Sequence, residues 1–355
     1  MPAPLPRSAP RARARHAVLL AAGALVAAAP GTLRAQGPSP FTSLTFFGDS
    51  YVDTGNLLLL TGGAQPPTPP YATGRVSNGL VWVDYFAQAL GRPQDAAPVF
   101  LTRAASGNYA VAGARTTGST PPGTDQQVGS YLTRPGATPA TRTDPTGLYA
   151  LFVGGNDLRD AAALSDPVAR QAAATLAAQR VVTQAGQLAG SGARNVLLFT
   201  FPSLGATPEA QRIPGRPAAA DEVAATFNQA LLLGIGGLQS TFGGTSFLNL
   251  RLDNLFTNIL ADAQRGGTQF GLTNVTTRCL PPFASPGAPS CDVSLWADDL
   301  HPTTRTHQLI AQAAVRYVTT GQNVAVVPEP ATVALVAGGL VALGGIGAAR
   351  RRRAA

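Results

Sequence analysis

The sequence has 355 residues, of which 45% are hydrophobic and only 12% are charged. This is enough apolar material for one large globular domain or two small ones, which excludes a largely disordered chain. The formal net charge is +8, but nine of the 26 basic residues lie within residues 1–35 and 350–353. The other 17 are balanced by 17 acidic residues between positions 36 and 327. A neutral middle excludes nucleic-acid binding through a basic surface.

Residues 1–35 have the features of a secretory signal peptide. Four Arg residues precede position 16, an apolar run of 13 residues covers positions 17–29, and Ala35 offers a small residue for cleavage. The run is too short to span a bilayer, which needs about 20 apolar residues. The sequence therefore predicts export, with a buried N-terminal helix as the alternative.

The middle of the chain alternates between apolar, β-prone runs and helical patterns. Strands are predicted at residues 43–48, 148–153, 195–201 and 247–252, with a fifth near residues 102–105. Helices are predicted at residues 167–188, 219–239, 254–265 and 304–319. Apolar strands separated by helices indicate an α/β fold, with a parallel sheet of about five strands that is covered on both faces. We expect this domain to occupy residues 36–319.

Two segments rich in Gly, Pro and Thr are predicted to be long surface loops that wall a substrate cleft, residues 62–79 and 113–146. In parallel α/β sheets, reactive groups collect at the carboxyl ends of the strands. The turns that contain Ser50 and Asn156 both follow predicted strands. The sequence therefore places candidate reactive residues at one edge of the sheet.

A serine nucleophile needs a base, which is usually a His oriented by a carboxylate. Downstream of the predicted signal peptide the only histidines are His301 and His307. His301 precedes a predicted helix, and Asp298 lies three residues upstream, so we predict a Ser50–His301–Asp298 unit. Asp299 is the alternative carboxylate. His307 falls inside the helix, where a polar surface role is expected.

Acyl transfer also needs hydrogen-bond donors for the developing oxyanion. The Gly-rich segment 107–116 and the turn 154–157, which contains Asn156, fit this need. Asp49 and Asp157 resemble a carboxylate pair for glycoside hydrolysis, but we expect them to shape turns through hydrogen bonds. No Gly-Lys-Ser/Thr phosphate loop is present, and the sequence predicts neither a metal ion nor a cofactor.

The two cysteines, Cys279 and Cys291, are an even count in a chain predicted to be exported. In an oxidising compartment such a pair usually forms a disulfide, here closing a loop of about a dozen residues. A metal site built on two cysteines is the weaker interpretation, because no nearby His or Cys completes four ligands.

Five blocks in order resemble the GDSL (SGNH) lipase/esterase family. They are residues 46–56 (FFGDSYVDTGN), 108–116 (NYAVAGART), 154–157 (GGND), 202–205 (PSLG) and 298–303 (DDLHPT). The resemblance covers positions 43 to about 318. It implies a flavodoxin-like, three-layer α/β/α domain with esterase activity.

The same resemblance assigns roles to individual residues. Ser50 would attack the ester carbonyl, His301 would relay the proton of the Ser50 hydroxyl, and Asp298 would orient His301. The backbone N–H groups of Ser50 and Gly113 and the side chain of Asn156 would form the oxyanion hole. One residue departs from the family pattern, because Tyr51 follows the serine where the family has Leu. We expect Tyr51 to pack and to affect the acyl pocket.

The C-terminal end resembles the PEP-CTERM sorting signal of Gram-negative bacteria. Pro-Glu-Pro at residues 328–330 precedes 19 uncharged residues, 331–349, and four Arg residues, 350–353. Nineteen helical residues reach roughly 28 Å, which predicts a transmembrane segment at residues 331–349 after a linker at residues 320–327. The resemblance implies recognition and cleavage of residues 328–353 by an exosortase. A plain membrane anchor is the alternative.

Together these features predict an exported serine hydrolase that cleaves carboxylic esters through an acyl-enzyme. Nothing indicates a long apolar channel, so short or medium acyl chains are expected on a lipid or acetylated-glycan substrate. Expected processing partners are a signal peptidase and an exosortase-type enzyme, with transient membrane contact and a periplasmic, cell-surface or matrix location. The alternatives are an acetyl esterase of extracellular polysaccharide and a non-catalytic envelope or matrix protein.

Overall fold

The computed structural model describes residues 39–102, 106–284 and 287–326. The predicted signal peptide, the Pro-Glu-Pro motif and the predicted span 331–349 lie outside the described residues. Within the described ranges, no helix is long and apolar enough to cross a membrane.

Seven strands and ten helices form the described part of the chain, with short 3-10 turns between them. The strands are β1 Leu44–Gly48, β2 Gly107–Asn108, β3 Leu148–Phe152, β4 Asn195–Phe199, β5 Ser246–Leu250, β6 Asn274–Arg278 and β7 Ser294–Trp296. The helices are α1 Asn56–Leu60, α2 Trp82–Ala89, α3 Val99–Thr102, α4 Thr124–Leu132, α5 Gly155–Ala162, α6 Pro167–Gly190, α7 Pro208–Gln211, α8 Arg216–Thr241, α9 Leu252–Gln264 and α10 Thr304–Thr320. The 3-10 turns are Pro93–Ala96, Leu204–Ala206 and Cys291–Val293.

The central sheet contains five parallel strands in the order β2-β1-β3-β4-β5. This is the strand order of flavodoxin-like folds, in which the order reverses beside the first strand. The strands β1 and β3 are buried along their whole length, as expected where helices cover both faces. The predicted α/β fold is confirmed.

Neighbouring residues of β1 show how the two helical layers are separated. Phe46 packs edge-on against Trp82 of α2 at a ring-centroid distance of 5.8 Å. Phe47 packs against Tyr131 of α4 at 5.7 Å. Successive side chains of a strand point to opposite faces of the sheet, so α2 and α4 lie in different layers. Helix α10 packs against α2, whereas α6 packs against α4 and α8.

The fifth strand of the central sheet is β2, Gly107–Asn108, which lies just after the predicted position. Of the predicted strand near residues 102–105, residues 103–105 lie outside the described residues. Residues 99–102 form α3 directly after Pro98, a residue that favours the start of a helix. The prediction of a loop throughout residues 113–146 is wrong, because this segment contains α4, whose largely polar sequence does not indicate a helix.

The polar helix α4 contributes a buried hydrogen bond to the central sheet. The Gln127 side chain accepts from the Gly48 N–H at 2.9 Å and donates to the Gly48 carbonyl at 2.9 Å. A Cβ atom on Gly48 would lie 2.6 Å from Val52 and even closer to the carbonyl of Phe152. Only glycine fits where β1 meets the turn that carries Ser50.

A second, smaller sheet lies beside the C-terminal part of the domain and pairs β6 with β7 in parallel. Cys279 and Cys291 lie in the connection between these strands and form a disulfide, with their Cα atoms 5.1 Å apart. The segment with Asp298 and His301 follows β7 directly. The disulfide therefore constrains the chain just before the predicted catalytic loop.

The described part of the predicted linker, residues 320–326, hydrogen-bonds to the domain. The Asn323 side chain accepts from the Arg251 N–H at 3.1 Å, and the Asn254 side chain donates to the Val324 carbonyl at 2.7 Å. This segment is thus hydrogen-bonded to the residues at the start of α9.

Candidate active site

Ser50 lies in a tight turn at the carboxyl end of β1. The Asp49 carbonyl accepts from the N–H groups of Val52 at 3.0 Å and Asp53 at 2.9 Å, which folds the turn back on itself. Ser50 is only 8% exposed, and that exposure faces a cleft.

The carboxylate of Asp53 ties this turn to the neighbouring strand end. It accepts from the N–H groups of Gly55 and Asn56 at 2.7 Å each and of Leu57 at 3.0 Å. It also accepts from the N–H of Ala112, in the segment after β2, at 2.8 Å. One buried carboxylate therefore begins α1 and positions the residue before Gly113.

Two asparagine side chains strengthen the same connection. Asn56 donates to the carbonyls of Asn108 at 2.7 Å and Ala110 at 2.8 Å. Asn108 donates to the Val52 carbonyl at 2.6 Å. Buried amides bonded in this way specify one relative position of the two segments. The sequence blocks contain these residues, but their spacing does not reveal this role.

The hydroxyl of Ser50, the imidazole of His301 and the carboxylate of Asp298 form a continuous hydrogen-bonded series. Ser50 Oγ lies 2.9 Å from His301 Nε2. His301 Nδ1 lies 2.8 Å from Asp298 Oδ2 and 3.0 Å from Oδ1. The three residues predicted from sequence thus meet in the structure, although 251 positions separate Ser50 from His301.

The Asp298 carboxylate is buried, and both of its oxygens accept hydrogen bonds. Its Oδ1 accepts from the N–H groups of Leu300 at 2.8 Å and His301 at 2.7 Å. Its Oδ2 accepts from the Tyr71 hydroxyl at 2.5 Å. Burial by itself raises the pKa of Asp298, but His301 and the hydrogen bonds outweigh it and hold the pKa well below the ordinary value. Asp298 is therefore ionised at neutral pH.

Asp299, the alternative carboxylate, points elsewhere. It forms ion pairs with Arg212 at 2.5 Å and Arg278 at 2.9 Å. These pairs lower the pKa of Asp299, chiefly through the Arg212 hydrogen bond. Asp299 therefore joins α7 and β6 to this loop, while Asp298 contacts the imidazole.

His307 corrects a sequence prediction, because it is fully buried and not on a polar surface. Within the described residues neither ring nitrogen has a hydrogen-bond partner. His307 occupies the buried face of α10 with Ile310, Ala311 and Ala314, which recur at helical spacing. That periodicity was the available signal. Burial, reinforced by the charge of His301, lowers the pKa of His307 to about 3.

Tyr51, where the family has Leu, lies between the two histidines. Its ring is 6.0 Å from that of His301 and 5.9 Å from that of His307, and it packs edge-on against Phe152 at 5.6 Å. Its hydroxyl donates to the Leu300 carbonyl at 2.7 Å. The side chain packs as expected and also links the serine turn to the histidine loop.

The predicted oxyanion residues lie around the same strand ends. Gly113 has φ = +84°, a conformation that favours glycine. The Asn156 amide donates to the Ala114 carbonyl at 2.9 Å. An amide nitrogen carries two hydrogens, and this bond uses one of them; Asn156 and Ser50 both line the cleft.

The two other carboxylates accept hydrogen bonds, Asp49 within its own turn, as predicted, and Asp157 from a different segment. Asp157 accepts from the Thr116 N–H at 2.9 Å and from the Thr116 hydroxyl at 2.6 Å. Asp49 accepts from the Tyr51 N–H at 3.1 Å. Burial raises the pKa of Asp49 to about 7, against the opposing effects of that N–H and of His301.

The cleft beside Ser50 has a volume of about 60 Å³ and a mostly apolar lining. Its apolar wall comes from α5, α7, α8 and the segment after β4, with residues Leu158, Ala162, Phe201, Leu204, Ala210 and Ala220. Arg159 and Glu209, which pair with each other, also line it. The predicted loops 62–79 and 113–146 do not line this cleft; the first instead supplies Tyr71, which no sequence pattern had indicated.

A hydroxyl, an imidazole and a carboxylate in this order form the arrangement that serine hydrolases use. On a flavodoxin-like sheet, with the site at the carboxyl ends of the strands, fold and site define an α/β hydrolytic enzyme of the ester-hydrolase class. The chain belongs to the GDSL-like lipase/acylhydrolase family, whose model matches residues 44–314.

Similar proteins include enzymes from bacteria and plants. A phosphatidylcholine-sterol acyltransferase of Aeromonas hydrophila is 26% identical over 345 residues, covering 81% of this chain and 93% of that protein. A GDSL esterase/lipase of Arabidopsis thaliana is 27% identical over 322 residues, covering 80% and 91%. The crystal structure of an extracellular lipase from Streptomyces rimosus is 16% identical with a TM-score of 0.40, covering 79% and 100%.

The unpartnered, buried His307 predicts acid sensitivity. A pKa of about 3 in the folded chain, against 6.5 when unfolded, means that the unfolded chain binds more protons between these values. Stability is therefore lost as pH falls from about 6.5 towards 3, by up to about 4 kcal/mol for this group. We expect His307→Leu to remove this part of the pH dependence. Urea unfolding of wild type and variant at pH 7.5 and pH 4.5 measures it, and equal pH slopes would contradict it.

Proposed function

We propose that this protein is an exported serine ester hydrolase in which Ser50 is the nucleophile. The proposal rests on one observation, the hydrogen-bonded series of Ser50, His301 and Asp298. Ser50 Oγ lies 2.9 Å from His301 Nε2, and His301 Nδ1 lies 2.8 Å from Asp298 Oδ2. Membership of a lipase/acylhydrolase family supports the reaction class.

In the proposed reaction, Ser50 Oγ attacks the ester carbonyl while His301 Nε2 takes the hydroxyl proton. Asp298 holds the imidazole tautomer that carries its hydrogen on Nδ1 and stabilises the imidazolium. The negative charge on the tetrahedral intermediate is met by the N–H groups of Ser50 and Gly113 and by the Asn156 amide. The protonated His301 gives its proton to the departing alcohol, and water then cleaves the acyl-enzyme by the same steps.

The size and lining of the cleft support short acyl chains. A volume of about 60 Å³ corresponds to very few water molecules. The apolar wall suits an acetyl or butyryl group, and two of the charged residues that line the cleft, Arg159 and Glu209, pair with each other; Arg216 also lines it. The preferred substrates are therefore esters with short acyl groups.

Two related activities fit the same residues. Deacetylation of an extracellular polysaccharide is favoured by the resemblance of residues 328–353 to a sorting signal found in polysaccharide-producing bacteria. The name of the Aeromonas relative describes transfer of an acyl group to a sterol, in which an alcohol replaces water in the second step. Hydrolysis is our primary proposal, because it needs only the acyl-enzyme and water.

Export is the proposed cellular context of this activity. Residues 1–35 would be removed by a signal peptidase, and residues 328–353 would direct an exosortase-type enzyme to the tail. The Cys279–Cys291 disulfide supports an oxidising compartment such as the periplasm or the cell exterior.

The role of Ser50 is tested with a fluorophosphonate probe and an aryl acetate. We expect Ser50→Ala to abolish labelling, and Ser50→Ala and His301→Ala to lower kcat/KM by at least about 10³-fold, since each removes a partner of the proton transfer. Ser246→Ala, at the opposite end of the sheet, should behave like wild type. Equal labelling of Ser50→Ala and wild type would overturn the proposal, as would an unlabelled, folded wild type.

Acyl preference is tested with p-nitrophenyl esters of two to sixteen carbons, alongside release of acetate from acetylated glycan. We expect kcat/KM to be highest for two to four carbons and to fall at least about tenfold by twelve, because longer chains exceed the cleft. A maximum at twelve or more carbons would contradict the short-chain proposal. Faster deacetylation of the glycan than of aryl acetate would favour the polysaccharide activity.

Processing at both ends is tested by intact-mass and terminal-peptide mass spectrometry of the protein exported by its native host. We expect the mature chain to begin near residue 36 and to lack residues 350–353. An exported chain that retains residues 328–353 would show that the tail is a permanent anchor, and retention of residues 1–35 would refute cleavage of a signal peptide.

A further inference from the structure

We propose that Tyr71 is a positioning residue of this site, which holds the Asp298 carboxylate in the orientation that faces His301. The inference rests on the proposed function and adds a fourth member to its hydrogen-bonded series. Tyr71 belongs to the loop 62–79, far in sequence from Asp298 and without a recognisable motif.

The two carboxylate oxygens of Asp298 are held by different parts of the chain. Oδ1 accepts from the N–H groups of Leu300 and His301, both in its own loop. Oδ2, the oxygen nearest His301 Nδ1, accepts from the Tyr71 hydroxyl. The imidazole also lies 3.0 Å from Oδ1, so it contacts both oxygens, and among the described residues Tyr71 is the only other donor to Oδ2.

Tyr71 is itself fixed from two directions. Its ring packs against Phe283 with centroids 5.8 Å apart, and Phe283 lies within the loop closed by the Cys279–Cys291 disulfide. Further along its own loop, the Ser77 hydroxyl donates to the Pro302 carbonyl at 2.8 Å, next to His301. The Tyr71 loop is therefore attached to the histidine loop.

The hydroxyl of Tyr71 remains a donor at any assay pH. Burial, the hydrogen bond to Asp298 and the charges of Asp298 and Asp299 raise the pKa of Tyr71 far above its ordinary range. A donor on the carboxylate has two effects. It restricts rotation of the Asp298 side chain, and it withdraws part of the negative charge that stabilises the imidazolium.

Other ionisable groups surround this series, and Tyr71→Phe replaces none of them. Asp49, Tyr51 and His307 face His301 from the serine turn and from α10. Asp157 faces Asp49. On the Tyr71 side, Asp299 is neutralised by Arg212 and Arg278. A difference between wild type and Tyr71→Phe therefore reports on the Tyr71 hydroxyl.

The decisive variant is Tyr71→Phe, which removes the hydroxyl and retains the ring that packs on Phe283. We expect kcat for an aryl acetate to fall about tenfold with KM nearly unchanged, because positioning matters in the transition state. We also expect the acidic limb of the kcat/KM profile to move to higher pH by about half a unit, because the carboxylate regains charge facing the imidazolium. A merely structural role would lower activity equally at every pH.

Tyr85→Phe is the matched control. It also removes a half-buried tyrosine hydroxyl, one that lies 2.8 Å from the Thr304 hydroxyl at the start of α10. We expect this variant to keep the kcat and the acidic limb of wild type. A second variant, Phe283→Leu, keeps the Tyr71 hydroxyl but loosens its ring, and should give a smaller change in the same direction.

A readout without substrate separates this inference from the proposed function. The proton between His301 Nδ1 and Asp298 should give a low-field ¹H NMR resonance, identified by its loss in His301→Ala. We expect Tyr71→Phe to shift or broaden it and Tyr85→Phe to leave it unchanged. An unchanged resonance in Tyr71→Phe would overturn the inference, as would a wild-type kcat and acidic limb, or a loss of activity without a pH shift. Failure of Ser50 labelling would refute the proposed function alone.

Discussion

The buried carboxylate of Asp53 is the contact on which the rest of the site depends. It accepts from N–H groups at the start of α1 and from Ala112 on the neighbouring segment, so it joins two strand ends that the sheet merely brings near. Asn56 and Asn108 repeat the connection with side-chain amides. Together with the backbone bond from Val111 N–H to the Gly48 carbonyl at 3.2 Å, these contacts hold the Ser50 turn and the segment of Gly113 at a fixed separation. An oxyanion site requires a fixed separation between these segments, because its donors act only over hydrogen-bond distance.

Burial also controls which groups near His301 carry charge. It raises the pKa of Asp49 to about 7 and lowers that of His307 to about 3, so it favours the neutral form of both residues. Asp298, in contrast, keeps its charge because its hydrogen bonds and His301 outweigh burial. His301 thus faces one firmly ionised partner among neighbours whose charge is suppressed. This contrast favours a single proton path between Ser50 and Asp298.

Much of the fold and of the candidate site was readable from local pattern. The four apolar runs and the ordered blocks predicted the parallel sheet, and Ser50, His301 and Asp298 meet as expected. Two of the failures share a cause, which is that the deciding contact is distant in sequence. Helix α4 buries a polar side chain, Gln127, which hydrogen-bonds to Gly48 in β1. Tyr71 lies in a loop without periodicity.

The sequence by itself determined the class of fold, the order of the reactive residues along the chain and the small number of histidines that can serve as base. Periodicity and turn chemistry act over a few residues, so local sequence carries them. Only the tertiary structure decided that Asp298 and not Asp299 contacts His301, and that Tyr71 completes the carboxylate's contacts. These outcomes depend on which segments the sheet and the disulfide bring together, and hydrogen bonds between such segments exist only once the chain has folded.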